Sequence, residues 1–327
     1  MSLLNRRDML KQTGLAALGL SLAGLSNSWA APTAGPKRKI LFFSKSSGFE
    51  HSVIKRNGDK PSFAEQVLAE IGPKYNFEFT FSKDGSLFTP KYLDQFDAFF
   101  FYTTGDLTTV GTDKNPAMTP EGKQAFIDAV KNGKGFIGSH SGSDTFHTKP
   151  DAEDKSDRYQ TNGDKSDPYI LMLGGEFIKH GKQQKAKMRV VENKFPGFEK
   201  VGSSFEMTEE WYSLKEFQPN LHVLLVQETE GMPDNEYKRS PYPATWARMY
   251  GKGRVFYTSM GHREDVWTNE TFQNILLGGV SWAVRNVDAD VTPNLTKETP
   301  NHADIPPKTP PPAPKPEKKA EKKAEKK

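Results

Sequence analysis

Apolar residues between positions 38 and 140 fall into two patterns that alternate along the chain. Lys39-Ile40-Leu41-Phe42-Phe43-Ser44 is a short, nearly continuous apolar run of the kind a strand buried on both sides requires. Phe63, Val67, Leu68 and Ile71 follow at helical spacing, and Gly72-Pro73 stops them. Residues 77–82 predict a second strand and residues 98–104 a third. Thr119-Pro120-Glu121 then opens a helix with a capping side chain, a first-turn proline and an acid at the positive end of the dipole. That helix carries Ala125, Phe126, Ala129 and Val130 and closes at Asn132-Gly133. The fourth strand, Gly135-Phe136-Ile137-Gly138, leads into Ser139-His140-Ser141-Gly142.

Strands alternating with helices predict an α/β fold, a parallel sheet covered by helices on both faces. In such sheets ligands bind beyond the carboxyl ends of the strands. Residues 44–51, 103–106 and 139–144 would therefore lie near one another. The second half is richer in strand patterns, at 186–191, 221–227, 244–250 and 254–259. A final helix over 269–285 shows Phe272, Ile275, Leu276, Val280 and Val284 along one face. With no internal repeat, residues 31–292 are expected to form one domain.

Charge sharpens the boundaries. The chain of 327 residues has a net charge of +4, but Arg6, Arg7 and Lys11 against Asp8 and the nine lysines against five acids in residues 293–327 more than account for it. The part long enough to fold is slightly acidic, so no nucleic-acid partner is expected. Residues 1–30 read as a twin-arginine-type export signal, with cleavage before Ala31 and a periplasmic or secreted destination. Its apolar stretch is too short and too glycine-rich for a membrane span, so stable membrane insertion of the mature chain is not expected. Residues 293–327, dominated by Pro, Lys, Glu and Ala, are expected to be a disordered tail. The absence of cysteine excludes disulfides, thiolate-bound metals and a thiol nucleophile.

The candidate chemistry is histidine chemistry. His51, His140, His180 and His262 each follow a strand or a glycine-rich turn, where side chains reach the rim of a cleft. Three or four imidazoles with a carboxylate suit zinc or a similar divalent ion, although no compact metal motif joins them. The turn around His140 has the small-residue frame of a nucleophile elbow, which presents His140 to the cleft and makes Ser141 an alternative nucleophile. Glu209 and Glu210 point to opposite faces if extended, so one can enter the site, and Glu210 is the preferred carboxylate. Trp211 or Tyr212 offers a stacking wall for a sugar ring, and Asp144 and Asp106 are further rim carboxylates.

Five blocks in order carry a resemblance: residues 39–51 ending Gly48-Phe49-Glu50-His51, then 133–146, 173–180, 209–213 and 243–262. Together they resemble the ThuA-like, or trehalose-utilisation, family over about residues 38–286. The resemblance implies a flavodoxin-like fold related to class I glutamine amidotransferases, without the elbow cysteine that their amidotransfer requires. It also implies a link to disaccharide catabolism through 3-keto-sugar intermediates. The expectation is an exported, metal-assisted enzyme acting on a small carbohydrate such as a keto-glycoside, with no nucleotide or flavin. Its catalytic groups would be His140, Glu210 or Ser141, its substrate-binding groups Asp144, Trp211 and Tyr212, and its metal ligands His51, His140, His180 and His262. A noncatalytic carbohydrate-binding protein and a serine hydrolase using Ser141 are the alternatives. Assembly as a homo-oligomer stays open.

Overall fold

The computed structural model describes residues 36–308, so the expected export signal and the last part of the expected tail lie outside the described residues. The first half contains β1 (Arg38–Phe43), α1 (Phe63–Ile71), β2 (Phe77–Ser82), the single turn α2 (Pro90–Leu93), β3 (Ala98–Phe101), α3 (Pro120–Lys131) and β4 (Gly135–Ser139). The second half contains α4 (Pro168–Leu173), β5 (Glu176–His180), β6 (Gln184–Val190), β7 (Ser204–Glu209), β8 (Tyr212–Lys215), β9 (His222–Gln227), β10 (Tyr242–Tyr250) and β11 (Gly253–Thr258). After these come α5 (Glu264–Trp267), α6 (Glu270–Ala283) and α7 (Leu295–Glu298).

Nine strands form one sheet in the order β2-β1-β3-β4-β11-β10-β9-β6-β7. From β2 to β11 every pairing is parallel, and from β11 outward every pairing is antiparallel. The parallel half explains the apolar runs. Ile40 and Phe42 of β1 enter one core with α1 and α6, while Leu41 and Phe43 enter the other with α3 and α4. A strand with a helical layer on each side has no solvent face, so alternation vanishes from its sequence.

The helix boundaries follow their capping residues. Ser62 and Glu65 make a reciprocal capping box on α1, Thr119 accepts from Gly122 N at 3.0 Å on α3, and Asn269 accepts from the first turn of α6. The expected third strand is shorter than its apolar run, because the chain leaves the sheet after Phe101.

Three strands went unread in the sequence. β7 is an edge strand whose Ser204, Glu206 and Thr208 face water, and β5 and β8 form a separate two-stranded ribbon too short to show a period. The expected tail boundary also moves. Asn294 pairs its side-chain amide with both Val223 backbone groups, Leu295 is buried, and Arg239 donates to His302 O at 3.0 Å. Ordered chain therefore continues past residue 293. A few anchoring side chains suffice for this, and average composition over the segment hides them.

Candidate functional site

The parallel strands deliver their following loops to one edge. His51 arrives after β1, His140 directly after β4 and His262 after β11, while Glu210 occupies the junction between β7 and β8. One ligand atom from each of these four residues lies within 4.8 Å of the others. His262 Nδ1 is 3.2 Å from His140 Nε2 and 3.1 Å from Glu210 Oε2, and His140 Nε2 is 3.5 Å from the same carboxylate oxygen.

The surrounding backbone fixes these positions. His140 has φ +44°, a left-handed conformation that a histidine enters at a cost. Tyr257 donates its hydroxyl to His140 O at 2.8 Å and stabilises the turn. Since the Ser259 carbonyl can only accept, the 3.0 Å contact puts a proton on His140 Nδ1 and turns Nε2 towards the cluster. Glu209, at the end of β7, accepts from Gly261 N and His262 N at 2.8 and 3.1 Å. The two adjacent carboxylates thus divide the work: Glu209 holds the backbone turn that presents His262, and Glu210 faces the imidazoles. Glu209 is raised above its ordinary pKa by burial.

His51 is buried, and its Nδ1 has no hydrogen-bond partner. Burial and then the neighbouring His140 and His262 hold its pKa well below the ordinary histidine value, so it is neutral. Burial alone would raise Glu210, but hydrogen bonds from His140 and His262 hold it well below the carboxylate range. The site is thus three imidazoles sharing one anion. Four donors about 2.1 Å from a tetrahedral ion would be roughly 3.4 Å apart, close to the three spacings above, so the donor set fits a zinc-like cation.

His180 is at the rim rather than among these four. Its Nδ1 is 3.4 Å from Glu210 Oε1, and its side chain is 42% exposed. Gln183 takes a hydrogen bond from Arg263 on its oxygen at 2.8 Å, which aims its amide nitrogen at His262 Nε2, 2.9 Å away.

The cluster opens into a cavity of about 1010 Å³ lined by His51, Glu210, His262, His180, Tyr212, Asp144 and residues of the facing loops. Asp144 does not turn towards the histidine cluster. It pairs with His147 Nε2 at 2.7 Å and with Arg158 at 3.0 Å. His147 is absent from the sequence-derived candidates because it follows neither a strand nor a glycine turn. It donates from its other nitrogen to Glu176 at 2.8 Å, and Lys215 completes the group at 3.2 Å from Glu176. Burial would lower His147, yet Asp144 and Glu176 outweigh it and push the pKa up to about 9.

The proposed sugar wall is not where the sequence suggested. Trp211 is fully buried in the α1/α6 core, with its indole donating to Gln184 O at 3.0 Å. Tyr212 reaches the cavity but is sandwiched between Phe177 and His140, each with ring centroids 4.1 Å away, so neither face is free for a ligand. Ser141 Oγ is buried without any hydrogen-bond partner, and no base activates it. Asp106 is exposed at the rim, where it caps the turn at Thr108.

A family model described as "ThuA: Trehalose utilisation" matches residues 39–283. No curated protein matches the chain. Among solved structures, a putative ThuA-like protein from Bacteroides uniformis is similar at 19% identity and TM-score 0.55, over 77% of this chain and 92% of that one. Another, from Parabacteroides merdae, is similar at 18% identity and TM-score 0.49, over 83% and 97% of the respective chains.

Proposed function

The chain belongs to the ThuA, or trehalose utilisation, family, and from that premise we propose that it is an exported, metal-assisted enzyme acting on a disaccharide or keto-glycoside. Family membership supports a role in carbohydrate catabolism. The convergence of His51, His262 and Glu210, which line the cavity, with the fully buried His140 carries the finer reading. A cavity of about 1010 Å³ has room for a disaccharide, and ligand pockets commonly measure about 300–1,000 Å³.

His51, His140, His262 and Glu210 would hold the cation, which when bound would polarise a sugar carbonyl or acidify a water molecule. The protein's own groups set the conditions for that chemistry. His140 is oriented by Ser259 and His262 by the Glu209-held turn, so two donors are positioned before any ligand arrives. Glu210, ionised and within reach of His140, His180 and His262, would supply the one anionic donor of the set.

The reading is tested with protein folded in zinc-replete medium and supplied with disaccharides and their 3-keto forms. It predicts a stoichiometric metal and turnover that falls roughly 100-fold or more in His140→Ala and Glu210→Gln. Sugar binding with no turnover by the wild type would instead identify a noncatalytic binding protein.

A further inference from the structure

Four large apolar side chains are conspicuously exposed among the described residues: Phe49, Leu87, Val110 and Met249. Only Phe49 of these lines the cavity, and its side chain is 68% exposed. Its position is fixed by the backbone beneath it. Thr104 donates its hydroxyl to Phe49 O at 2.9 Å, while its carbonyl receives Ser47 N and Gly48 N at 2.8 and 3.2 Å. Thr112 donates to Gly48 O at 2.6 Å. Gly105, at φ +73°, packs so closely that a Cβ there would lie 2.7 Å from Gly48 N. The loop therefore has little freedom to fold the ring back into the protein.

The ring meets His51 edge-to-face, with centroids 5.0 Å apart, and His51 in turn lies 4.9 Å from the His140 ring. Phe49 is thus one imidazole outward from the metal-type cluster. At the cluster itself Tyr212 has no free face, so the reacting ring of a substrate would be held by polar groups. An exposed apolar ring in a cavity that Asp106 and Thr108 also line is suited to the C–H face of a sugar whose hydroxyls turn to the polar lining.

We propose that Phe49 is a stacking platform for the second, outer pyranose ring of a disaccharide whose inner ring occupies the histidine cluster. The inference rests on the carbohydrate reading above and assigns the outer subsite of that same cavity. It makes Phe49 a determinant of substrate length, favouring glycosides with a ring as leaving group over simple alkyl glycosides.

The test is isothermal titration of the full-length wild type, Phe49→Ala and Phe49→Trp with trehalose and with methyl α-glucoside, alongside metal analysis of each. Phe49→Ala is expected to weaken trehalose binding by roughly 3- to 10-fold and leave methyl glucoside unchanged, as loss of one aromatic contact implies. Phe49→Trp should restore trehalose affinity, and all three proteins should carry the same metal. Equal trehalose affinity in wild type and Phe49→Ala overturns the platform while leaving the carbohydrate reading intact. Parallel loss of both sugars and of metal assigns Phe49 a structural role at His51 and overturns it too. A wild type that binds neither sugar, nor the 3-keto form of either, removes the carbohydrate reading and the platform together.

Discussion

Two histidine-containing clusters line one cavity, and they are built on opposite principles. Around His147 each charge has a partner: both ring nitrogens donate to carboxylates, Asp144 also takes Arg158, and Glu176 also takes Lys215. Around His140 the one anion, Glu210, meets both His140 and His262, and His51 Nδ1 has no hydrogen-bond partner. One cluster is electrostatically complete and serves as wall. The other gathers three imidazoles about a single anion and leaves a buried ring nitrogen unpartnered, a donor set that a bound cation would complete.

Removing one partner from the complete cluster should give the largest effect. His147→Leu takes from Asp144 and Glu176, in their buried setting, the imidazolium that donates to both, and the expected loss is roughly 3–5 kcal/mol of stability, measured by denaturant unfolding. The same substitution in the incomplete cluster should behave differently. His51→Leu removes a neutral imidazole, so metal content should collapse while stability in metal-free buffer changes little. A fall in metal-free stability as large as that of His147→Leu would erase the contrast.

pH separates the clusters next. The folded pKa of His147, about 9, lies above its unfolded value near 6.5, so its stabilisation is complete below about 6.5 and disappears as pH rises through 9. Glu176 is displaced downward: burial opposes the shift, and His147 and Lys215 outweigh it. Its contribution is present above about 4.5 and is lost on acidification. The wild type should therefore lose on the order of 3 kcal/mol between pH 6.5 and 9.5, a slope that His147→Leu lacks. Identical slopes in the two proteins would remove the imidazolium from the account.

The smallest expected effect is at Gln183. Its amide donates to His262 Nε2, which favours the proton on Nδ1, the atom needed for a cation. Gln183→Glu would accept a proton from Nε2 instead, freeing Nδ1. Metal affinity should rise by roughly 10-fold, read by competition with a chromophoric chelator. Unchanged or weaker affinity would show that Gln183 does not set the tautomer.

Much of this architecture was legible in the sequence, and the unread parts share a cause. Buried parallel strands and capped helices leave local signatures, which is why residues 38–140 and α6 were readable. Glycine turns after strands marked His51, His140 and His262. Glu210 could be preferred over Glu209 only as one of two opposed neighbours, and the structure shows what the other does. His147, Arg158 and Glu176 form a site through tertiary pairing across loops with no period or turn signature. Trp211 illustrates the converse problem: an aromatic beside a functional carboxylate has the same sequence context whether it faces the cavity or the core, and here it faces the core. The platform role passes to Phe49, whose exposure no sequence pattern announces.

The central claim is that the His51, His140, His262 and Glu210 cluster is a cation site. Its most direct test is elemental analysis of the wild type and Glu210→Gln after folding in medium supplied with zinc, manganese and iron, followed by gel filtration. The account predicts about one tightly held divalent ion per wild-type chain and little in the variant. A wild type that emerges without metal, or a Glu210→Gln variant that retains it in full, would contradict the claim.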